Sequence, residues 1–520
     1  MNKLFHLQQL FLSGLLSILF ALPTPLLAAT HIEVTGLRVE NMTDPLGLDT
    51  DRPRFSWQIQ SQGKNAGRNV VQTHYHIIVC STYEKFNRNE GDLWDSGDVA
   101  SAEQLWIPYA GKPLKSNQHA YWKVRIKTNK GSSEWSTPPH RFSTGLLSEA
   151  QWHGRWIGLE RMMPGEQTGQ HSRLAARYLR KEFQLQAKAV RRATAFIAGL
   201  GLYRLYINGN CVRKSSEVMT PLPSDYRKTI YYNTYDVTPI LSAAADLNRK
   251  FAVGIVLGNG RYFAMRQNKP YKNVTFGLPK CRLNIIIEYE DGKTECVQTD
   301  ETWRLTTEGP IRANNEYDGE EYDARMELGA WTLPGYDDGA WMQAERSAIP
   351  TGTLRGQMAP SMTEGKTIPP VSRKNDIVDF GQNMAGWVTF TPQGRPGDTI
   401  RIRYAERLND DGTLYTDNLR DAKSEDVYIC GNTKAAWHPA FVTHGFRYVE
   451  VKGPATAIAA CTVNDEMEQT GDFACSDSIL NKVVRNARHG IASNYKGMPV
   501  DCPQRNERQP WLGDRTVGSL

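Results

Sequence analysis

Between residues 31 and 465, apolar side chains recur at alternate positions in short runs, each broken by glycine, asparagine, aspartate or proline. A period of two puts one face of a strand inside and the other outside. In Arg282–Tyr289 the apolar positions are Leu283, Ile285, Ile287 and Tyr289, and Asp291-Gly292 follows. That dipeptide tolerates positive φ, so the pattern predicts a strand entering a hairpin with a type I′ turn. Leu205-Tyr206-Ile207 before Asn208-Gly209 predicts another. Many short strands with such turns imply β-sandwiches. Three β units separate: 30–147, with Trp57, Trp94, Trp122 and Trp135; 173–350; and 358–466, bounded by Pro360 and Pro369-Pro370. Residues 160–170 read as a polar linker. At Ser476 the period changes to 3.6. Ile479, Leu480, Val483, Val484, Ala487 and Ile491 then share one face of an amphipathic helix of about 18 residues, capped by Ser476 or Asp477. Its apolar stripe needs partners.

A chain of 520 residues is too long for one core, which agrees with several domains. Lys and Arg number 62 against 56 Asp and Glu, a net +6. The basic residues are scattered, and clusters such as Arg177–Arg180–Lys181 and Arg191–Arg192 read as solvated strand faces. No nucleic-acid partner is expected, because that needs basic residues concentrated on one element. Lys3, an apolar run from Leu10 to Leu22 and Leu26-Leu27-Ala28-Ala29 read as a signal peptide over 1–29, hence export to the periplasm or outside the cell. No later run approaches the ~18 apolar residues of a membrane span. The eight cysteines form no CxxC pair, which disfavours zinc. Mostly free buried thiols are expected, with Cys281–Cys296 the one local bridge suggested.

The densest chemistry lies at 501–514, Asp-Cys-Pro-Gln-Arg-Asn-Glu-Arg-Gln-Pro-Trp-Leu-Gly-Asp. Asp501, Glu507 and Asp514 stand beside Arg505, Arg508 and Trp511, and Pro503 and Pro510 forbid a continuous helix. Sugar chemistry uses such a set: carboxylates for hydroxyls, one acid for a leaving oxygen, a flat apolar face for stacking. Each residue also has a plainer role. Glu507 between two arginines suits a structural ion pair, Asp501 and Asp514 suit loop hydrogen bonds, and Trp511 suits core packing. Cys502 reads as buried, since no histidine in the motif activates it. Asn409-Asp410-Asp411-Gly412 lacks the spaced oxygens of a calcium loop and reads as a turn.

The segment Asp501-Cys502-Pro503-Gln504-Arg505-Asn506-Glu507-Arg508, continuing to Trp511-Leu512-Gly513-Asp514, resembles the signature of bacterial α-L-rhamnosidases of glycoside hydrolase family 78. Gly199-Leu200-Gly201-Leu202-Tyr203, Tyr206-Ile207-Asn208-Gly209, Asp379-Phe380-Gly381-Gln382-Asn383 with Gly386-Trp387, and Tyr415-Thr416-Asp417-Asn418-Leu419-Arg420 are similar to that family's accessory domains, in the same order. The resemblance implies a mainly β chain of tandem sandwiches (immunoglobulin or fibronectin-like, jelly-roll, concanavalin-like), followed over 470–520 by the first part of an (α/α)6 barrel. It implies inverting hydrolysis of terminal α-L-rhamnose from a rhamnose-containing glycan or glycoside; no cofactor and no metal at the site are expected, and a metal in the second sandwich stays open. Glu507 is then the general acid, and Asp501, Arg505, Trp511 and Asp514 hold the sugar. Gln509-Pro510 departs from the family's usual Leu-Gly before the tryptophan, so the path around Trp511 stays open. The family's base is a glutamate far downstream, absent from these 520 residues. On this reading the chain is a truncated or split member, inactive alone. The alternative is a non-catalytic exported rhamnose-binding protein, working through the sandwich at 173–350; an adhesion or scaffold module is disfavoured by the acid-rich loop.

Overall fold

The computed structural model describes residues 31–62, 68–168, 171–214, 216–243, 249–264, 275–511 and 513. The expected signal segment 1–29 and Asp514 lie outside the described residues. Among the described residues no helix is long and apolar enough to cross a membrane. Packing divides the chain into two compact bodies: Met1–Thr43 with Arg54–Lys112 and Tyr121–His140, and Asp44–Pro53 with Pro113–Ala120 and Arg141–Leu520.

In the first body, His31–Val39, Arg54–Gln62 and Ile107–Pro108 form one sheet, and Gln72–Cys80 pairs antiparallel with His119–Thr128 in another. Alternation turns Phe55, Trp57, Ile77, Val79, Trp122 and Val124 inward, all fully buried. The Phe55 and Trp122 rings meet at 4.6 Å. The buried Trp57 indole donates to Gln72 Oε1 at 3.0 Å, as an indole N–H out of water must. This is the immunoglobulin-like sandwich.

The second body holds two larger sandwiches. One packs a seven-stranded sheet, centred on Lys280–Tyr289 and Val190–Leu200, against a six-stranded sheet centred on Lys250–Gly258 and Arg177–Gln184. Leu179, Ile197, Leu205, Ile255, Leu283 and Trp303 are sealed between them. The next is built on a nine-stranded sheet in which Ile377–Pro392 lies between His444–Lys452 and Ala455–Asp465. A hairpin of Ile311–Asn315 and Gly319–Asp323, early in the chain, joins this late sheet, with Gly319–Asp323 parallel to Glu425–Ile429. Gly319 permits that junction: its φ is +116°, and an added Cβ would sit 2.0 Å from the Glu425 carbonyl.

Both expected hairpins form, with one difference. Asn208 and Gly209 have φ of 47° and 79°, the two positive values of a type I′ turn. At Asp291-Gly292 only Gly292 is positive (φ 79°), and the Tyr289 amide bonds the Lys293 carbonyl. The loop therefore has three residues, a type I turn closed by a glycine bulge, instead of the two-residue type I′ turn. Asn409–Thr413 forms a turn between Arg407–Leu408 and Leu414–Tyr415.

Three sequence readings need correction. The segment read as a linker is not free over residues 160–168: the Glu166 side chain, 6% exposed, accepts from both Nη atoms of Arg177, at 2.6 and 2.9 Å. Arg177 and Arg180 are fully buried, not solvated. Arg180 donates to the Trp331 carbonyl at 2.8 Å, to Glu182 at 2.7 Å and to Asp338, because the 331–338 segment covers the strand face on which Arg180 lies. Cys281 and Cys296 are free thiols. Cys296 faces Ile286, five residues along the strand from Cys281, or about 16 Å at strand rise.

Gly386 lies where two strands close on each other, and a Cβ there would meet the Cys461 carbonyl at 1.9 Å. Gly386→Ala is expected to cost about 3 kcal/mol or more, since backbone cannot step aside as a side chain can. Loss of the urea transition of this sandwich at lower denaturant would register it; an unchanged midpoint would contradict the crowding. Beyond the last sandwich, Ser478–Asn494 is the expected helix, and Asp477 caps it by accepting from the Ile479 amide at 2.7 Å and the Leu480 amide at 3.3 Å. Ile479, Leu480, Val483 and Ile491 of its apolar stripe are exposed.

Candidate active site

After the helix the chain doubles back as a closed loop. Isolated bridges join Tyr495 to Pro499 and Val500 to Pro510. Across the loop the Asp501 amide donates to the Gln509 carbonyl at 2.9 Å, and Trp511 N to the Pro499 carbonyl at 3.1 Å. Pro503 and Pro510 keep it non-helical, as their missing amides require. Asp501 staples it from inside. Its Oδ1 accepts from Gln509 N at 2.8 Å and its Oδ2 from Arg505 Nη2 at 3.2 Å, with only 6% of the side chain exposed. Cys502 is buried and its thiol is pushed up to about 11, chiefly by burial, so it is no nucleophile at neutral pH.

Arg508 anchors the loop to the sandwich. Its guanidinium is buried and donates to four carbonyls: Glu316 at 2.6 Å, Thr443 at 2.8 Å, and Gln504 and Arg505 at 3.1 Å each. The sequence reading placed Arg508 as a charge acting on Glu507. Instead, Arg508 has φ of 48°, and its guanidinium bonds the hairpin at Glu316 and the strand edge at Thr443.

Glu507 faces two other guanidiniums. Its Oε2 accepts from Arg505 Nε at 3.1 Å and from Arg420 Nη1 at 2.9 Å. Burial pushes its carboxyl up, but the charges and hydrogen bonds of Arg505 and Arg420 outweigh this and hold it below the usual glutamate range. The side chain is about one-fifth exposed. Glu507 is therefore a carboxylate at neutral pH.

Arg420 was legible only as part of an accessory-domain motif, Tyr415–Arg420; nothing local marked it as a partner of Glu507. The other accessory motif converges nearby. Asn383 Nδ2 donates to Glu406 Oε1 at 2.7 Å, and Asn418 Nδ2 to Glu406 Oε2 at 3.1 Å. A cleft of about 410 Å³ opens there, lined by Asn383, Glu406, His489, Asp501, Gln504 and Arg505. Such a wall offers donors and acceptors on all sides, the environment a polyhydroxylated ligand requires. Trp511 is about one-third exposed at the end of the loop. Asp514 lies outside the described residues.

An immunoglobulin-like sandwich, two larger sandwiches and a capped helix leading into an acid-rich loop define a modular, mainly β protein. Four family models match along it: the Rha78A-like N-terminal immunoglobulin domain over 34–148, the α-L-rhamnosidase N-terminal domain over 188–366, the bacterial α-L-rhamnosidase concanavalin-like domain over 370–467, and the bacterial α-L-rhamnosidase six-hairpin glycosidase domain over 468–520. The chain belongs to the bacterial α-L-rhamnosidase family. It is 34% identical to an α-L-rhamnosidase of Formosa agariphila over 93% of this chain and 53% of that protein. Among solved structures it is similar to the α-L-rhamnosidase of Dictyoglumus thermophilum (37% identity, TM-score 0.84, 93% of this chain and 54% of that one). It is also similar to that of Streptomyces avermitilis complexed with L-rhamnose (26% identity, TM-score 0.83, 94% and 62%). The chain spans about half the length of the curated relatives named first.

Proposed function

We propose that this chain carries the acid side of an inverting α-L-rhamnosidase site, for hydrolysis of terminal α-L-rhamnose from rhamnose-containing glycans or glycosides. The observation that carries the reading is the closed 499–511 loop. It ties Arg505 to both Asp501 and Glu507, with Asp501 and Arg505 at the wall of a polar cleft, in the segment matching the six-hairpin glycosidase family. Glu507 is the general acid: its proton passes to the glycosidic oxygen as the bond to the anomeric carbon breaks. Water enters from the opposite face, activated by a base that is not assigned to any residue here. Asp501 and Arg505, locked to each other, offer the sugar an acceptor and a donor in fixed relation. Trp511 and Asp514 complete the grip. The signal-like segment 1–29 supports action outside the cytoplasm, and the residues after 470 are read as the start of an (α/α)6 barrel.

Inversion makes the β-anomer the first product. Where the base-bearing segment accompanies this chain, proton NMR during cleavage of an α-L-rhamnoside is expected to show β-L-rhamnose before mutarotation supplies the α form. Early α-anomer would contradict inversion. Saturable rhamnose binding with no release would instead favour the binding-protein reading.

A further inference from the structure

Arg420 reaches Glu507 from a different part of the fold than Arg505 does, and its loop is built to hold it there. The short 3₁₀ turn Asp417–Leu419 ends at Arg420, whose φ of 62° and ψ of −116° are rarely adopted by a residue with a side chain. Neighbours on both sides are pinned. Leu419 and Ala422 are buried against Tyr317, and Asn418 is tied to Glu406. Ser424 is fully buried, 3.1 Å from His444 Nδ1, while His444 Nε2 lies 3.1 Å from Asp426 Oδ1. A backbone held in a costly conformation by its surroundings, with one charged side chain projecting from it, points to a role for that side chain.

Resting on the assignment of Glu507 as the acid, we propose that Arg420 is a positioning residue: it grips the carboxylate from the sandwich side, and Glu507 takes up its proton only as that grip loosens. Arg505 lies two residues from Glu507 and moves with it. Arg420 does not, and with 39% of its side chain exposed it can turn toward water when a leaving group approaches. After the proton has gone to the glycosidic oxygen, the carboxylate formed is again the partner Arg420 fits. The charged groups bearing on Glu507 are thus Arg505, with Asp501 behind it, from its own loop, and Arg420 from the 416–424 loop; Arg508 is turned to the carbonyls that hold it.

The test is a carbon-13 NMR titration of glutamate carboxyls in the full chain, with the Glu507 signal identified by its loss in Glu507→Gln. In Arg420→Gln the Glu507 midpoint is expected to move to higher pH than in the unaltered chain, and in Arg420→Lys to return most of the way. An unmoved midpoint in Arg420→Gln, with amide signals of 416–424 otherwise preserved, overturns the proposal. The titration reads the grip directly. Should Glu507→Gln leave hydrolysis intact, the acid assignment fails while a shifted midpoint would still establish the pairing.

Discussion

With the base-bearing segment present, Glu507→Gln is expected to slow cleavage of rhamnosides whose aglycones leave as alcohols by about 100- to 10,000-fold, the usual worth of a positioned general acid. The amide keeps the size and accepts from Arg505 and Arg420 as the carboxylate does, so the loop should hold its shape. It has no proton to give. An alkoxide is a strong base and cannot depart unaided, so the loss falls on the bond-breaking step. Nitrophenyl rhamnoside is different, because nitrophenolate leaves as a stable anion, and its cleavage should fall far less. Comparing kcat/KM on the two substrates therefore separates proton donation from mere support. An equal loss on both would mean that Glu507 holds the site together, or the sugar in it, without acting as the acid.

Arg508→Ala is expected to open the acid loop locally at a cost of about 3 kcal/mol or more. Charge-assisted hydrogen bonds contribute about 1.5–3 kcal/mol each, and buried carbonyls left unpaired are penalised further. Of the four carbonyls this guanidinium serves, those of Glu316 and Thr443 belong to the sandwich and those of Gln504 and Arg505 to the loop. Removing it unfastens one from the other. Hydrogen exchange at the Asp501, Gln509 and Trp511 amides should accelerate about 100-fold, while the sandwich cores stay protected. Arg508→Lys should recover only part, since a single ammonium cannot reproduce the planar fork of donors. Unchanged exchange in Arg508→Ala would show that the loop is held by other contacts.

The two arginines of the signature show where reading a chain in one dimension fails. Arg505 and Arg508 flank Glu507 in sequence, two residues before and one after. The left-handed backbone at 508 sends one away to the sandwich, while the other stays on the carboxylate. The positive charge that replaces Arg508 beside Glu507 comes from residue 420. Asp501, open between loop staple and sugar ligand on sequence grounds, is already stapling the loop while lining the cleft. Arg177 and Arg180 fail for a related reason. A strand's polar face is solvated only if nothing distant in the chain covers it; residues 331–338 cover Arg180, and Glu166 takes the guanidinium of Arg177.

Local chemistry was sufficient for most of what depends on neighbours in the chain, the turn type at Asp291-Gly292 excepted. Alternation at Leu283–Tyr289, positive φ at Asn208-Gly209, the Asp477 cap and the switch to helical period after 476 each rest on steric and hydrogen-bonding rules acting within a few residues, so they could be read directly. Pairings across long stretches could not. The hairpin 311–323 completing a sheet of residues beyond 360, the four carbonyls gathered around Arg508, and the meeting of Arg420 with Glu507 all depend on how sheets stack and where loops are pulled. Those are properties of packed surfaces, and no short-range pattern encodes them.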